Sequence, residues 1–153
     1  MPADSEPDRV VRLPRTFRPF GVRVAVYVLG TLLVLTCVVM WFAFPPRIRA
    51  LFTVEQVITI IGLGLIFYAV GFALVRSRVV AREDGLTVVN GYRTRRYAWN
   101  EVLGVTLRAG NPWAVLDLSD GTSVPALGIQ GSDGERARRQ VREIRALVEH
   151  LTR

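Results

Sequence analysis

Residues 24–44, VAVYVLGTLLVLTCVVMWFAF, and residues 57–75, VITIIGLGLIFYAVGFALV, decide the fold of this chain of 153 residues. Neither stretch contains Asp, Glu, Lys or Arg. At about 1.5 Å per helical residue they reach roughly 31 and 28 Å, which matches the hydrocarbon core of a bilayer. Both are apolar on every side, whereas a surface helix of a soluble protein has a polar face. We therefore predict two transmembrane helices, 24–44 and 57–75.

A cleaved signal peptide is the alternative for residues 24–44. The apolar part of a signal peptide has about 7–15 residues and precedes a cleavage site with small residues. Here the apolar stretch is longer, and Phe44, Pro45, Pro46 and Arg47 form a poor cleavage site. The sequence favours an uncleaved anchor.

The two predicted helices divide the chain into short segments. They leave a head, 1–23, expected to be disordered at its start, a connector, 45–56, and a tail, 77–153. No segment is long enough for a large enzyme with a cleft between two domains. Two helices are also too few for a multispanning transporter, unless the chain oligomerises.

The arginines predict the topology. The head contains Arg9, Arg12, Arg15, Arg18 and Arg23, the second helix is followed by Arg76, Arg78 and Arg82, and the connector contains Arg47 and Arg49. The excess on the outer flanks places both termini in the cytoplasm of a plasma membrane protein and the connector outside. All 20 basic residues are Arg and the net charge is +7. Membrane topology accounts for this charge, so we expect no nucleic acid partner.

Small residues lie within both predicted helices. Gly30 is in the first, and Gly62, Gly64 and Gly71 are in the second. Such residues let membrane helices approach closely. They are compatible with packing inside one hairpin and with a homo-oligomer formed through the helices.

No catalytic, cofactor or metal site is predicted. Cys37 is the single cysteine and lies in the first apolar stretch, and His150 is the single histidine, near the C-terminus. One thiol and one imidazole far apart in the chain suit neither a disulfide nor a zinc site. A Ser-His-Asp triad would need a histidine oriented by a buried partner, whereas His150 is predicted on an exposed helix end. We expect a protein that is not an enzyme.

The tail alternates β-rich runs with turn signals. Asn90-Gly91 is a strong hairpin signal, because both residues tolerate positive φ. Strands are predicted at 79–81, 86–89, 92–99, 102–108, 113–118 and 122–127, with a seventh in question at 126–130. Residues 99–102 suggest a helical turn, and Trp99 and Trp113 are expected in the core.

A helix is predicted at 134–151. Ser132 and Glu135 have capping-box spacing, with Ser132 as the cap. Beyond them Val141, Ile144, Val148 and Leu151 recur at helical spacing, which predicts an apolar face packed on the strands.

This order of elements resembles the membrane-tethered bacterial PH-domain proteins, in particular the actinobacterial family described as low molecular weight protein antigen 6 PH domain. The resemblance covers 77–151 and is carried by REDGLTV at 82–88, WNEV at 99–102, DLSDG at 117–121 and the final helix. It implies a PH-like barrel capped by the C-terminal helix, an interaction scaffold without catalytic activity. It supplies no lipid-binding residues, because the eukaryotic phosphoinositide motif uses Lys and Arg in the first hairpin, where Glu83, Asp84 and Gly85 are expected.

The predicted fold is therefore a membrane α-helical hairpin followed by a small α+β or all-β PH-like barrel with a capping helix. Two surfaces are candidate binding sites. The first, Arg93, Arg95, Arg96 and Tyr97, suits anionic lipid headgroups or a partner, and its alternative is a solvated strand. The second, Arg138, Arg139 and Arg142, suits a protein partner, and its alternative is a solvated helix face.

Two functions remain open. One is a membrane-anchored module that docks a protein partner or the inner leaflet. The other is an accessory or assembly subunit that acts through its transmembrane helices.

Overall fold

The computed structural model describes residues 12–152, so the expected disorder at the start of the head lies outside it. Its elements are β1 (Arg15–Phe17), α1 (Gly21–Ala43), the one-turn α2 (Pro46–Arg49), α3 (Val54–Arg76), β2 (Arg78–Arg82), β3 (Gly85–Asn90), β4 (Arg93–Tyr97), β5 (Val102–Thr106), β6 (Trp113–Leu118), β7 (Ser123–Gln130) and α4 (Glu135–Leu151). Short 3₁₀ turns lie at Trp99–Glu101 and Gly131–Asp133.

The two long helices, α1 and α3, have 23 residues each and form a hairpin. Both are long and apolar enough to cross a membrane, and neither has a buried residue. This exposure separates them from a core helix of a soluble protein, which other elements would cover. The helices touch where Gly71 faces Val26, since a Cβ on the glycine would lie 3.0 Å from Val26 Cγ1.

The far end of the hairpin carries an aromatic cluster. The ring of Phe52 lies 5.6 Å from that of Trp41 and 6.2 Å from that of Phe44. Thr53 then begins α3 with a capping box, because its hydroxyl accepts from the amide of Gln56 while the Gln56 side chain accepts from the amide of Thr53. Aromatic rings at this level are typical of a membrane–water boundary.

The strands form two antiparallel sheets, in the orders β1-β2-β3-β4 and β5-β6-β7. Their inner faces and the apolar side of α4 enclose one core, which includes Leu86, Leu116, Ile129 and Ile144. The sheets do not close into a barrel, but two small sheets and a C-terminal helix fit the PH-like fold that the resemblance implies. The order of a helical hairpin, a β domain and a final helix is confirmed.

The first strand comes from the head. Residues 15–17 pair with residues 79–81 of β2, and Phe17 is only 2% exposed within the core. The helical hairpin is thus inserted between the first two strands of the β domain. The turn at Glu83 and Asp84 connects β2 to β3, as predicted, and forms the first tight hairpin of the β domain. The head and the tail, separate in the sequence-based division, share one sheet.

Helix α4 begins without the expected cap. The residue before it is Gly134, whose φ of +58° turns the chain between Ser132 and the helix, and no side chain caps α4. The capping-box prediction for Ser132 was therefore wrong, because that residue lies in the preceding 3₁₀ turn. The apolar face was predicted correctly, since Val141, Ile144 and Val148 are all buried.

The structure also answers the question of the seventh strand. Residues 126–130 continue β7 as one strand, so among the described residues the seventh strand is β1.

Trp99 is buried, and its indole N–H donates to the carbonyl of Arg82 over 2.9 Å. Trp113 is 38% exposed, contrary to the core prediction, because it is the first residue of β6 and lies at the end of its sheet.

Candidate functional site

The predicted arginine surface on β4 is divided by the sheet. β4 is an edge strand, in which Arg95 pairs with Val88 and Arg96 pairs with Thr87 of β3. Side chains alternate along a strand, so Arg93 and Arg95 lie on the face of core residue Val88, whereas Arg96 lies on the opposite face. All three arginines are exposed, and within residues 12–152 none forms an ion pair.

Tyr97 has a different environment from these arginines. It is half-buried and packs against the core, on the same face as Arg93 and Arg95. Its hydroxyl is buried, and no hydrogen-bond partner for it lies in the described part of the chain. The ring therefore closes the edge of the core beside the two arginines.

The arginines on α4 are also not equivalent. Glu135 accepts a hydrogen bond from Arg142 over 2.7 Å and lies 3.8 Å from Arg138. The hydrogen bond from Arg142 lowers the pKa of the Glu135 carboxyl below its ordinary value, and the positive charges of Arg142 and Arg138 add to this effect. Arg139 is exposed, and its positive charge also lowers the pKa of Glu135. Among the described residues it is the one member of the predicted set that forms no ion pair.

A helix–domain junction, which the sequence analysis missed, fixes the start of α1. The two carboxylate oxygens of Asp133 accept from the amides of Phe20 and Gly21, over 2.7 and 2.8 Å. The first amides of a helix lack partners within it, and a negative charge is favourable at that end. The carboxylate that precedes α4 thus caps α1, more than a hundred residues earlier in the chain.

The junction also fixes the end of α3. The buried Ser77 hydroxyl donates to the carbonyl of Ala73 and accepts from the amide of Gly91, over 2.9 Å in each case. Gly91 has a φ of +59°, and a Cβ there would lie 3.2 Å from the Cβ of Ala73. The Tyr92 hydroxyl donates to the carbonyl of Ala69 over 2.8 Å. The Asn90-Gly91 turn is therefore packed against the last turns of α3.

Asn90 ties this turn to the second sheet. Its side-chain amide donates to the carbonyl of Pro125 and accepts from the amide of Leu127, so it bridges β3 to β7. With the β1–β2 pairing and Asp133, the turn gives the β domain three separate attachments to the helical hairpin. The domain is consequently held against the ends of α1 and α3 and does not hang from a linker.

Replacing Asp133 with alanine should destabilise the protein by about 0.5–2 kcal/mol, the usual effect of losing a helix cap. The amides of Phe20 and Gly21 should also exchange faster with solvent, because both lose their acceptor. Hydrogen exchange of the full chain in detergent micelles measures this. The control is Asp84→Ala, which removes an exposed carboxylate from the β2–β3 turn and should change stability by less than about 0.5 kcal/mol. Equal exchange at Phe20 in both variants would refute the capping role.

Within residues 12–152 no group of three His, Cys, Asp or Glu side chains is placed to hold a metal ion. The side chains of Asp133, Ser77 and Tyr92 bond to backbone groups and fix the β domain on its helices.

Comparison with known proteins finds one matching family and several similar proteins. Residues 76–147 match the family described as Bacterial PH domain. Uncharacterized proteins from Mycobacterium bovis and Mycobacterium tuberculosis are 33% identical to this chain over 87 residues, which is 57% of this chain and 56% of each relative. The matched region is thus little more than half the length of those relatives. No solved structure matches the chain. The resemblance seen in the sequence is confirmed by this family match, which covers residues 76–147, a little under half of the chain.

Proposed function

We propose that this protein is a membrane-anchored, non-enzymatic interaction module that holds its PH domain against the membrane surface and docks a protein partner there. The helix–domain junction is the observation that carries this proposal. Three attachments fix the domain to the ends of two helices, so its exposed surfaces keep one orientation relative to the hairpin. A fixed attachment of this kind suits a domain that must bind its partner at a membrane surface.

The topology is part of the proposal. Because β1 pairs with β2, both outer flanks of the hairpin meet at one end of it. The arginines of the head and of the start of the tail are concentrated on these flanks, which favours the cytoplasmic side of the plasma membrane. The short connector with α2 would then lie outside the cell.

The exposed face of α4 is the surface that suits a partner best. Arg139 is exposed there and forms no ion pair within the described residues, and Ala146 lies two turns further along the same side. Such a face attracts an acidic surface and contributes to the rate and specificity of association. The expected partner is therefore a protein with an acidic patch.

The second candidate function is that of an accessory subunit which acts through its helices. Gly71 is used inside the hairpin, but a Cβ added at Gly30, Gly62 or Gly64 would meet nothing within 4 Å. These glycines leave room for the close approach of another membrane helix. This observation keeps the second candidate in consideration beside the first.

Photo-crosslinking in native membranes separates the two functions. A photoreactive amino acid at position 146 reports partners of α4, and the same group at positions 33 and 63 reports partners of the helices. We expect one adduct of defined mass from position 146. It should weaken strongly in Arg139→Glu and persist in Glu149→Gln, a matched change on the same helix. Adducts only from positions 33 and 63 would overturn the docking module and support the accessory subunit.

A further inference from the structure

The tip of the β3–β4 hairpin, formed by the turn residues Gly91 and Tyr92 and followed by Arg93, lies beside α3. The Tyr92 hydroxyl bonds to the carbonyl of Ala69, seven residues before the end of α3 at Arg76. At about 1.5 Å per residue this is roughly 10 Å back along the helix. When the end of α3 lies at the headgroups of a bilayer, the tip of the hairpin therefore lies beside the part of the helix just below that level, and the hydroxyl of Tyr92 reaches the level of Ala69.

The surroundings of the tip are apolar and uncovered. The ring of Tyr92 is 61% exposed and lies 6.2 Å from that of Phe72, which in turn stacks 6.2 Å from Tyr68. A contiguous exposed stack of three aromatic rings is unfavourable in water. At a membrane–water boundary the same arrangement is favourable, because a tyrosine has an apolar ring and a polar hydroxyl.

Positive charge accompanies these rings. Arg93 follows Tyr92 in the chain, Arg76 ends α3, and both are exposed. Within residues 12–152 neither has a carboxylate in an ion pair. An arginine near an anionic membrane surface gains attraction from its phosphates, an effect that decays over about a Debye length.

We propose that the β3–β4 tip is a third membrane contact, in which Tyr92 enters the headgroup layer beside α3 and Arg93 binds the phosphate of an anionic phospholipid of that bilayer. This inference rests on the proposed membrane anchoring. It adds a contact made by the PH domain itself, at a turn far in sequence from the two spans. Because the domain is fixed to the hairpin, this contact makes the tilt of the hairpin and the domain together depend on the lipid composition.

Depth measurements on the full chain test the proposal. Cys37→Ser removes the only cysteine, and single cysteines at 92, 72 or 119 then carry an environment-sensitive fluorophore in phosphatidylcholine vesicles with 30% phosphatidylglycerol. Quencher lipids labelled at the headgroup or in the chain report depth. We expect the labels at 92 and 72 to be quenched severalfold more than the label at Ser119, in the exposed β6–β7 turn. Quenching at 92 as weak as at 119, with 72 quenched, overturns the third contact alone. Weak quenching at both 92 and 72 overturns the membrane anchoring on which the third contact rests.

A second arm tests the charge with Tyr92 in place. For this arm the fluorophore is at position 94, and the anionic vesicles are compared with pure phosphatidylcholine. Arg93→Gln should reduce the preference of the tip for the anionic vesicles about fivefold, the factor that one arginine near the surface supplies. Arg82→Gln, at the other end of the same sheet, should leave the preference unchanged. Equal effects of the two variants would overturn the assignment of Arg93 to a lipid phosphate.

Discussion

Replacing Phe17 with alanine should lower the free energy of unfolding of the β domain by about 3–5 kcal/mol, the usual effect of truncating a buried phenylalanine. The residue is 2% exposed and packs into the core from β1, although 60 residues, 18–77, separate its strand from β2. If the head did not pair with the β domain, the same change would have almost no effect on the stability of that domain. The variant therefore tests whether the PH domain begins before its helices.

The matched control is Thr16→Ala, on the same strand. Thr16 is exposed and pairs with Val80 through its backbone, so its loss should change stability by less than about 0.5 kcal/mol. Hydrogen exchange of the β2 and β3 amides in the full chain, in detergent micelles, measures both variants. Equal protection of those amides in Phe17→Ala and Thr16→Ala would show that β1 does not complete the sheet.

The elements that the sequence predicted correctly have strong local signals. The two apolar stretches, the Asn90-Gly91 hairpin and the apolar face of α4 each follow from the spacing or type of neighbouring residues. Strand β6 also has the predicted bounds, 113–118. For these elements tertiary packing agrees with local preference, which is why one sequence is enough to find them.

The strand β1 has no such signal. It has three residues, too few for an alternating pattern, and its partner follows both long helices. The cap of α1 is hidden for the same reason, since Asp133 is adjacent in sequence to α4 and not to the helix that it caps. Ser132 showed the opposite error: its local spacing suits a cap, but the positive φ of Gly134 moves the start of α4 away from it.

The candidate binding surfaces could be predicted only in part. The exposure of Arg93, Arg95 and Arg96 follows from composition, and their division between two faces follows from alternation along a strand, a signal that was present in the sequence. The ion pairs of Glu135 with Arg142 and Arg138 also lie within one helix. The position of Tyr92 beside Ala69 has no local signal, because it depends on how the β3–β4 turn packs against α3.

Gly128→Ala should be the second strongly destabilising change, at about 1–3 kcal/mol or more, as expected for overpacking a filled site. A Cβ at Gly128 would lie 2.6 Å from the Cα and carbonyl carbon of Arg78 and 2.8 Å from the amide nitrogen of Val79. These are backbone atoms of β2, directly after α3, so they cannot move aside as a flexible side chain would. The cost arises where β7 of one sheet crosses β2 of the other.

Gly104→Ala is the control, because a Cβ at Gly104 in β5 would meet nothing within 4 Å. Its effect should stay within about 0.5 kcal/mol in the same exchange measurement. Both changes add one methyl group to a strand glycine. The difference in stability between the two variants therefore measures the effect of the close approach of β7 to β2. If Gly128→Ala were tolerated as well as Gly104→Ala, β7 would not approach β2 this closely. The bridge from Asn90 to Leu127, which joins the two sheets beside this crossing, would then lose its geometric basis.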